Sequence, residues 1–340
     1  MKKFNVWLLS IAALVTLLPA TLLAQPTPDL VKFYKDREVQ ASPNLKQVLA
    51  AGRKEIAERK LTFTISNTTV SERDLKTLTG EYKVIAEDDA RIKAEMSRLA
   101  AEEAQILKNI QQLTTVTANS RSYDPRNENR LPAIRDQQCG DCWAYSSVGA
   151  LEISDIKEYH TNPASIDLSE RQMVNCSGAG SCSGGWPYKV YEYLKSSMKR
   201  MMTAAQYPDN GQNGPCPNIN PGTNIECSAW GLADPGVGLF KIADVQKIKE
   251  AIVKFGSVSA CVNVTSLFQH YSGGVFNEVP SNYSNPGVNH AIVLVGWDDS
   301  KKAWLLRNSW GTGWGEKGYM WIDYKSNNIG YGTIWCVAKQ

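Results

Sequence analysis

Two hydrophobic patterns divide this chain. Up to about residue 113 apolar residues recur at three- and four-residue steps, whereas beyond 255 they alternate or run in short continuous blocks. Leu45, Val48, Leu49, Gly52 and Ile56 predict a helix over 43–59. Leu61, Phe63 and Ile65 alternate, which predicts a short strand ending at a turn on Asn67. Ser71 and Asp74 stand three apart ahead of Leu75 and Leu78, the spacing of a capping box. From 81 to 113, Ile92, Met96, Leu99, Ile106, Ile110 and Leu113 hold a four–three spacing interrupted by Glu103, in a charged background. That helix either packs on the remaining chain and helps to place a neighbouring segment, or forms a hairpin or coiled-coil arm. Periodicity does not choose between them.

In the second half, Ala144, Val148, Leu151 and Ile156 predict a helix that opens at Cys142. Ser169 caps a second helix running to Cys176. Asp244 caps a third, with Val245, Ile248, Ile252 and Phe255 on one face and Gly256 as its stop. Strand patterns follow at 258–264, 290–297, 303–308 and 318–323. Helices followed by strands within one unit make an α+β arrangement.

Composition adds boundaries. With 340 residues, 43% hydrophobic content and ten Trp, the chain can build a sizeable core. A net charge of +3 gives no reason to expect a nucleic-acid or membrane-surface binder. Lys2 and Lys3, an apolar run from Val6 to Leu18, and Ala24 form the pattern of a secretory signal over 1–24, with an uncleaved membrane anchor as the rival reading. Residues 25 to 120 contain no Cys, Trp or His, which sets them apart as a unit. After Leu113 the sequence turns to Thr, Asn and Ser, then Asp124-Pro125 and Leu131-Pro132, an exposed and cuttable linker. The division is therefore 1–24, 25–122 and 123–340. Export permits disulfides, and all eight cysteines lie beyond residue 138.

The chemistry concentrates in Gln137-Gln138-Cys139-Gly140-Asp141-Cys142-Trp143. Cys142 sits at a helix start, where free N–H groups and the macrodipole favour a thiolate. The Cys139–Cys142 spacing also fits a redox pair or half of a zinc site, but zinc would want a second close pair or a Cys/His cluster and none is present. Of the three histidines, His160 ends a helix, and His270 precedes Ser272-Gly273-Gly274 in what reads as a surface loop. His290 opens an apolar strand. The Asn308 amide, at the end of the next strand, is suited to orient one imidazole nitrogen while the other faces a thiol, with Trp310 excluding water. Taken alone, Gly184-Gly185 reads as an ordinary glycine-rich turn, or as backbone open to pairing with an extended peptide.

Four motifs in this order, namely Cys139-Gly-Asp-Cys-Trp-Ala-Tyr-Ser, Leu168-Ser-Glu…Cys182-Ser-Gly-Gly-Trp-Pro, Val288-Asn-His-Ala-Ile and Arg307-Asn-Ser-Trp-Gly-Thr-Gly-Trp-Gly, resemble the papain-like cysteine peptidases over roughly residues 123–335. The resemblance implies a two-lobed domain, one lobe helical and one barrel-like, preceded by a helical inhibitory proregion. It implies Cys142 as nucleophile, His290 as base and then acid, Asn308 as orienter, and Gln137 as oxyanion donor together with the Cys142 N–H. Gly184 and Gly185 would pair with substrate backbone and Trp310 would shield the site. Trp186, Pro187, Cys261, Ala291 and Ile334 would wall the main specificity pocket; none is charged, so an apolar residue two positions before the scissile bond is expected. Cys139–Cys182 and Cys176–Cys216 would be disulfides, with Cys227, Cys261 and Cys336 left open.

The chain departs from the family pattern in three ways. One residue is missing between the glutamine and Cys139, Asp141 replaces a small residue and should raise the thiol pKa, and 25–120 lacks the usual proregion helix motif. No paired-histidine insertion of an exopeptidase is present. The expected protein is an exported endopeptidase made as a zymogen, acting on peptides without metal or other cofactor and without a nucleic-acid partner. The alternatives are a catalytically weak binding module on the same fold and a thiol–disulfide oxidoreductase using Cys139 and Cys142.

Overall fold

The structure, a computed structural model, describes residues 27–340 apart from 81, 83, 111–115, 197 and 198. The signal pattern and Leu113 fall outside the described residues.

In the N-terminal region, α1 (Pro28–Val39) and α2 (Pro43–Glu58) each begin on a proline, which forfeits no helical bond at that position. Ser42 Oγ caps α2 by accepting from Leu45 N. β1 (Phe63–Ile65) and the short α3 (Leu75–Leu78) follow. Here the expected capping box is corrected. Asp74 is itself the cap, accepting from Lys76 N, while Ser71 Oγ turns back to accept from Thr68 N. The long charged helix is α4 (Ala86–Asn109), carrying Glu87, Asp88 and Asp89 in its first turn as the dipole favours.

Next come β2 (Ser122–Tyr123), then α5 (Cys142–Tyr159), α6 (Glu170–Cys176), the strand pair β3 (Gly180–Ser181) and β4 (Gly184–Gly185), and α7 (Pro187–Ser196). The rest comprises β5 (Glu226–Leu232), α8 (Val245–Phe255), β6 (Val258–Val262), α9 (Ser266–Gln269), β7 (Tyr271–Phe276), β8 (His290–Asp298), β9 (Ala303–Arg307), β10 (Tyr319–Asp323) and β11 (Tyr331–Lys339). β5, β7 and β11 are strands the sequence pattern does not announce. The sheet order is β1-β7-β10-β9-β8-β6-β11-β5, with β2 on β8; among the described residues only β7 and β10 pair in parallel.

α5 is the axis of the molecule. Its side chains are buried from Cys142 to Lys157, because β8 and β11 cover one side and α6 and α7 the other. A helix buried all round carries polar groups into the core: Ser147 Oγ donates to Trp143 O and Glu152 Oε1 accepts from Leu168 N, while Glu152 Oε2 and Asp155 Oδ2 have no partner.

The compositional boundary near residue 120 is not a packing boundary. Leu45, Leu49, Phe63, Ile65 and Leu78 share one core with Phe268, Phe276, Trp310 and Trp314. β1 also extends the sheet at its β7 edge, pairing Phe63 with Gly274. The N-terminal region is thus folded onto the sheet lobe and covers an edge that would otherwise be open.

Candidate active site

The disulfide Cys139–Cys182 ties the approach to α5 onto the β3–β4 turn, and Cys176–Cys216 ties α6 to the following loop. Their loops span 43 and 40 residues, a length at which chain-entropy arguments give each about 4 kcal/mol. Cys139 is thereby engaged away from Cys142, which removes the redox-pair reading. Cys142, Cys227, Cys261 and Cys336 are free thiols, all buried.

Cys142 lies at the first residue of α5, with Ala144 N bonding to Asp141 O at 2.8 Å to start the helix. β8 begins opposite, packed against α5. His290, its first residue, is fully buried. Its Nε2 pairs with Asn308 Oδ1 at 2.8 Å, and its Nδ1 has no hydrogen-bond partner. The Asn308 oxygen fixes the proton on Nε2 and leaves Nδ1 as the free lone pair. Trp310 lies over the imidazole with ring centroids 4.9 Å apart and donates from Nε1 to Leu78 O.

Gln137 and Gln138, equivalent on paper, part company here. Gln137 is fully buried: Nε2 donates to Cys139 O at 2.8 Å, and Oε1 accepts from Ser309 Oγ at 2.7 Å. Ser309 N in turn donates to Asn308 Oδ1, so glutamine, serine and asparagine form one network. Gln138 is exposed and turns its amide back to Asp136 O.

The N-terminal region crosses this site. Gly80 N donates to Asn289 O at 2.8 Å, and a Cβ on Gly80 would stand 2.9 Å from Gly184 Cα and 3.0 Å from Gly140 O. Only glycine fits between those backbones. Two residues on, Tyr82 Oη reaches Cys142 Sγ at 3.1 Å, and its ring packs edge-on against Trp186 at 4.9 Å. Periodicity alone does not find Tyr82, although it is the sole aromatic residue between Phe63 and Tyr123.

Burial pushes the Cys142 thiol up to about 11; the Tyr82 hydroxyl and the Ala291 N–H pull the other way, and Asp141 adds to the rise. Asp141 acts in the expected direction but ranks below burial. Its own carboxyl, buried with neither oxygen hydrogen-bonded and close to Asp209, is driven well above the usual carboxylate range. Burial likewise depresses His290 to about 4, only partly offset by Asn308. His270 is corrected from a surface residue to a buried one, its Nδ1 2.9 Å from Ser71 Oγ and its pKa lowered to about 4 by burial.

Trp186, Cys261, Ala291 and Ile334 lie in one buried cluster, with Cys261 opposite Ala291 in register and Pro187 starting α7 beside them. Phe240 and Tyr331, which the motifs do not indicate, also stand against Trp186, at 5.0 and 6.3 Å between centroids. Gly184 and Gly185 pair with Ser181 and Gly180.

Such a fold and site define a class: two lobes, one helical and one of sheet, with cysteine, histidine and asparagine at their junction and an N-terminal region laid across it. The profile described as "Papain family cysteine protease" matches residues 119–336, and the chain belongs to that family. Pro-cathepsin H of Medicago truncatula is 33% identical over 216 residues, covering 62% of this chain and 59% of that protein. Cathepsin L of Sarcophaga peregrina is 33% identical over 216 residues, covering 61% and 60%. The chain thus matches about 60% of the length of these relatives. Among solved structures, procathepsin L2 of Tenebrio molitor has a TM-score of 0.67 at 20% identity, covering 92% of this chain and 95% of that one, a likeness of fold that includes the N-terminal region. A cysteine protease of Carica candamarcensis scores 0.53 at 26% identity, covering 64% of this chain and 98% of that one.

Proposed function

We propose that the chain is an exported cysteine endopeptidase made as a zymogen, with residues 25–122 as its inhibitory proregion and 123–340 as the peptidase. The observation that carries this reading is the buried His290–Asn308 pair beside the Cys142 thiol, with the segment that carries Gly80 and Tyr82 covering the sulfur through those two residues.

Once that segment leaves, water reaches the sulfur and the free Nδ1 of His290 can accept its proton. Cys142 then attacks a peptide carbonyl. The developing oxyanion lies between the Cys142 N–H and the Gln137 amide, both fixed in advance by the α5 start and the Ser309 bond. Protonated His290 releases the amine, and a water deprotonated by His290 hydrolyses the acyl-enzyme. Gly184 and Gly185 hold the substrate backbone, and the uncharged wall of Trp186, Pro187, Cys261, Ala291 and Ile334 takes an apolar side chain two residues before the cut. No step calls for a metal or other cofactor.

The proposal is tested by incubating the purified full chain at mildly acidic pH with a thiol reductant. Shortening to a form that cleaves peptides with apolar residues at that position, and its loss in Cys142→Ala, are expected. A shortened chain that cleaves no peptide, or cleavage that survives Cys142→Ala, refutes it.

A further inference from the structure

Outside the cleft, α4 lies on the peptidase by a pattern that can be read residue by residue. Asp88, Ile92 and Met96 fall at i, i+4 and i+8, one stripe of a helix. Asp88 accepts from the Tyr188 hydroxyl and lies 3.7 Å from Lys189 Nζ. Ile92 is fully buried in the cluster that holds Trp186, Tyr188, Trp230 and Phe240. To one side Asp89 Oδ1 accepts from Leu239 N at 2.6 Å, and to the other Arg91 Nη1 meets Glu192 Oε1 at 2.6 Å.

The receiving surface is shaped for this approach. Gly238 has φ +96°, and a Cβ there would stand 2.6 Å from Asp89 Oδ1 and 2.7 Å from Lys93 Cε; one on Gly231 would first meet Trp335, at 2.5 Å, and then Met96 Sδ at 3.3 Å. The missing side chain at Gly238 lets the helix sit close to the backbone there. None of these contacts is needed to block Cys142, which Gly80 and Tyr82 already cover.

We propose that the surface formed by Tyr188, Lys189, Glu192, Gly231 and Gly238–Leu239 is an exosite for an amphipathic helix. In the processed enzyme it takes a helix of a separate polypeptide with two carboxylates in its first turn, an arginine beside them, and apolar residues four and eight positions after the first carboxylate. The charge pattern sets orientation: the paired acids face Tyr188 and the Leu239 N–H, and the basic group faces Glu192. The buried aliphatic residue supplies the affinity. The proposal depends on the zymogen reading only in treating α4 as removable.

The test uses the full chain with Cys142→Ser, so that its readout is independent of peptidase activity. Arg91→Glu with Ile92→Asp frees the surface while the cleft stays covered. A labelled synthetic peptide of residues 84–110 is expected to bind this variant and not the chain with α4 intact, by fluorescence anisotropy. Adding Glu192→Arg to the variant weakens binding about tenfold, and a peptide carrying Arg91→Glu recovers it. No binding to a variant with native circular dichroism overturns the proposal, as does binding indifferent to Glu192→Arg. If the variant does not fold, the chain with α4 intact is cut after the exposed Arg121 and followed by hydrogen exchange. Amides 88–96 that stay protected support the exosite, and exchange at the rate of the free peptide overturns it.

Discussion

The Tyr82 hydroxyl is 3.1 Å from the Cys142 sulfur, and His290 Nδ1, the nitrogen left free by Asn308, has no partner. The thiol in this form is bonded to the N-terminal region and not to its imidazole. Burial is the larger cause of its elevated pKa, and the hydroxyl works against that rise. Tyr82→Phe in the intact chain should therefore leave iodoacetamide labelling of Cys142 slow at neutral pH and move its midpoint further up. Removal of the residues up to 122 should bring the midpoint down. The pH profile of labelling checks both, and faster neutral labelling in Tyr82→Phe would contradict this ranking.

The burial difference between the two adjacent glutamines gives a sharper comparison. Gln137→Ala removes the oxyanion donor proposed above and should lower kcat by about 10²–10³ with little change in KM. Gln138→Ala, whose side chain bonds only the Asp136 carbonyl, should leave both unchanged. Steady-state kinetics of the processed form decide, and equal losses would remove Gln137 from its role.

Glu152 predicts a pH dependence of stability. Burial raises its carboxyl from 4.5 to about 7 against the pull of Arg135, and Glu170 beside it is raised too. A carboxyl whose pKa is higher folded than unfolded holds a proton that the unfolded chain has lost. Its contribution is fully present below 4.5 and declines as pH rises through 7. Tm should fall with rising pH across that window. Glu152→Gln, which keeps the acceptor for Leu168 N, should flatten the slope, as scanning calorimetry would show.

His270 acts in the opposite sense. It is buried neutral against Ser71, with its pKa lowered from 6.5 to about 4. The docked state therefore loses stability as pH falls from 6.5 towards 4, if release of Ser71 rehydrates the ring. The rate at which the N-terminal region is released should rise as pH falls through that window, and His270→Gln should shift its onset to lower pH. An unchanged release profile in the variant would exclude the ring as a contributor.

Much of the chemistry was legible in local sequence because it depends on spacing along the chain. Cys142 precedes an apolar helical period, Ser169 and Asp244 cap helices, and His290 and Asn308 sit at ends of apolar strands. Elements without a strong local pattern were not legible. β5, β7 and β11 hold mixed or glycine-containing segments that become strands only because neighbours complete their ladders. Ser71 looked like a cap and His270 like a loop residue, since neither reading could know that the two would be packed together.

By itself, the sequence determined which groups could do chemistry: a thiol at a helix start, an imidazole and an amide on consecutive strands, and cysteines able to brace them. The tertiary structure decided which of those groups are engaged. It buried Gln137 and exposed Gln138, gave the Cys142 sulfur to Tyr82, and joined the N-terminal region to the peptidase core through Phe63 and Leu49. Those choices depend on desolvation and on contacts between residues far apart in the chain, and neither is written in any local stretch.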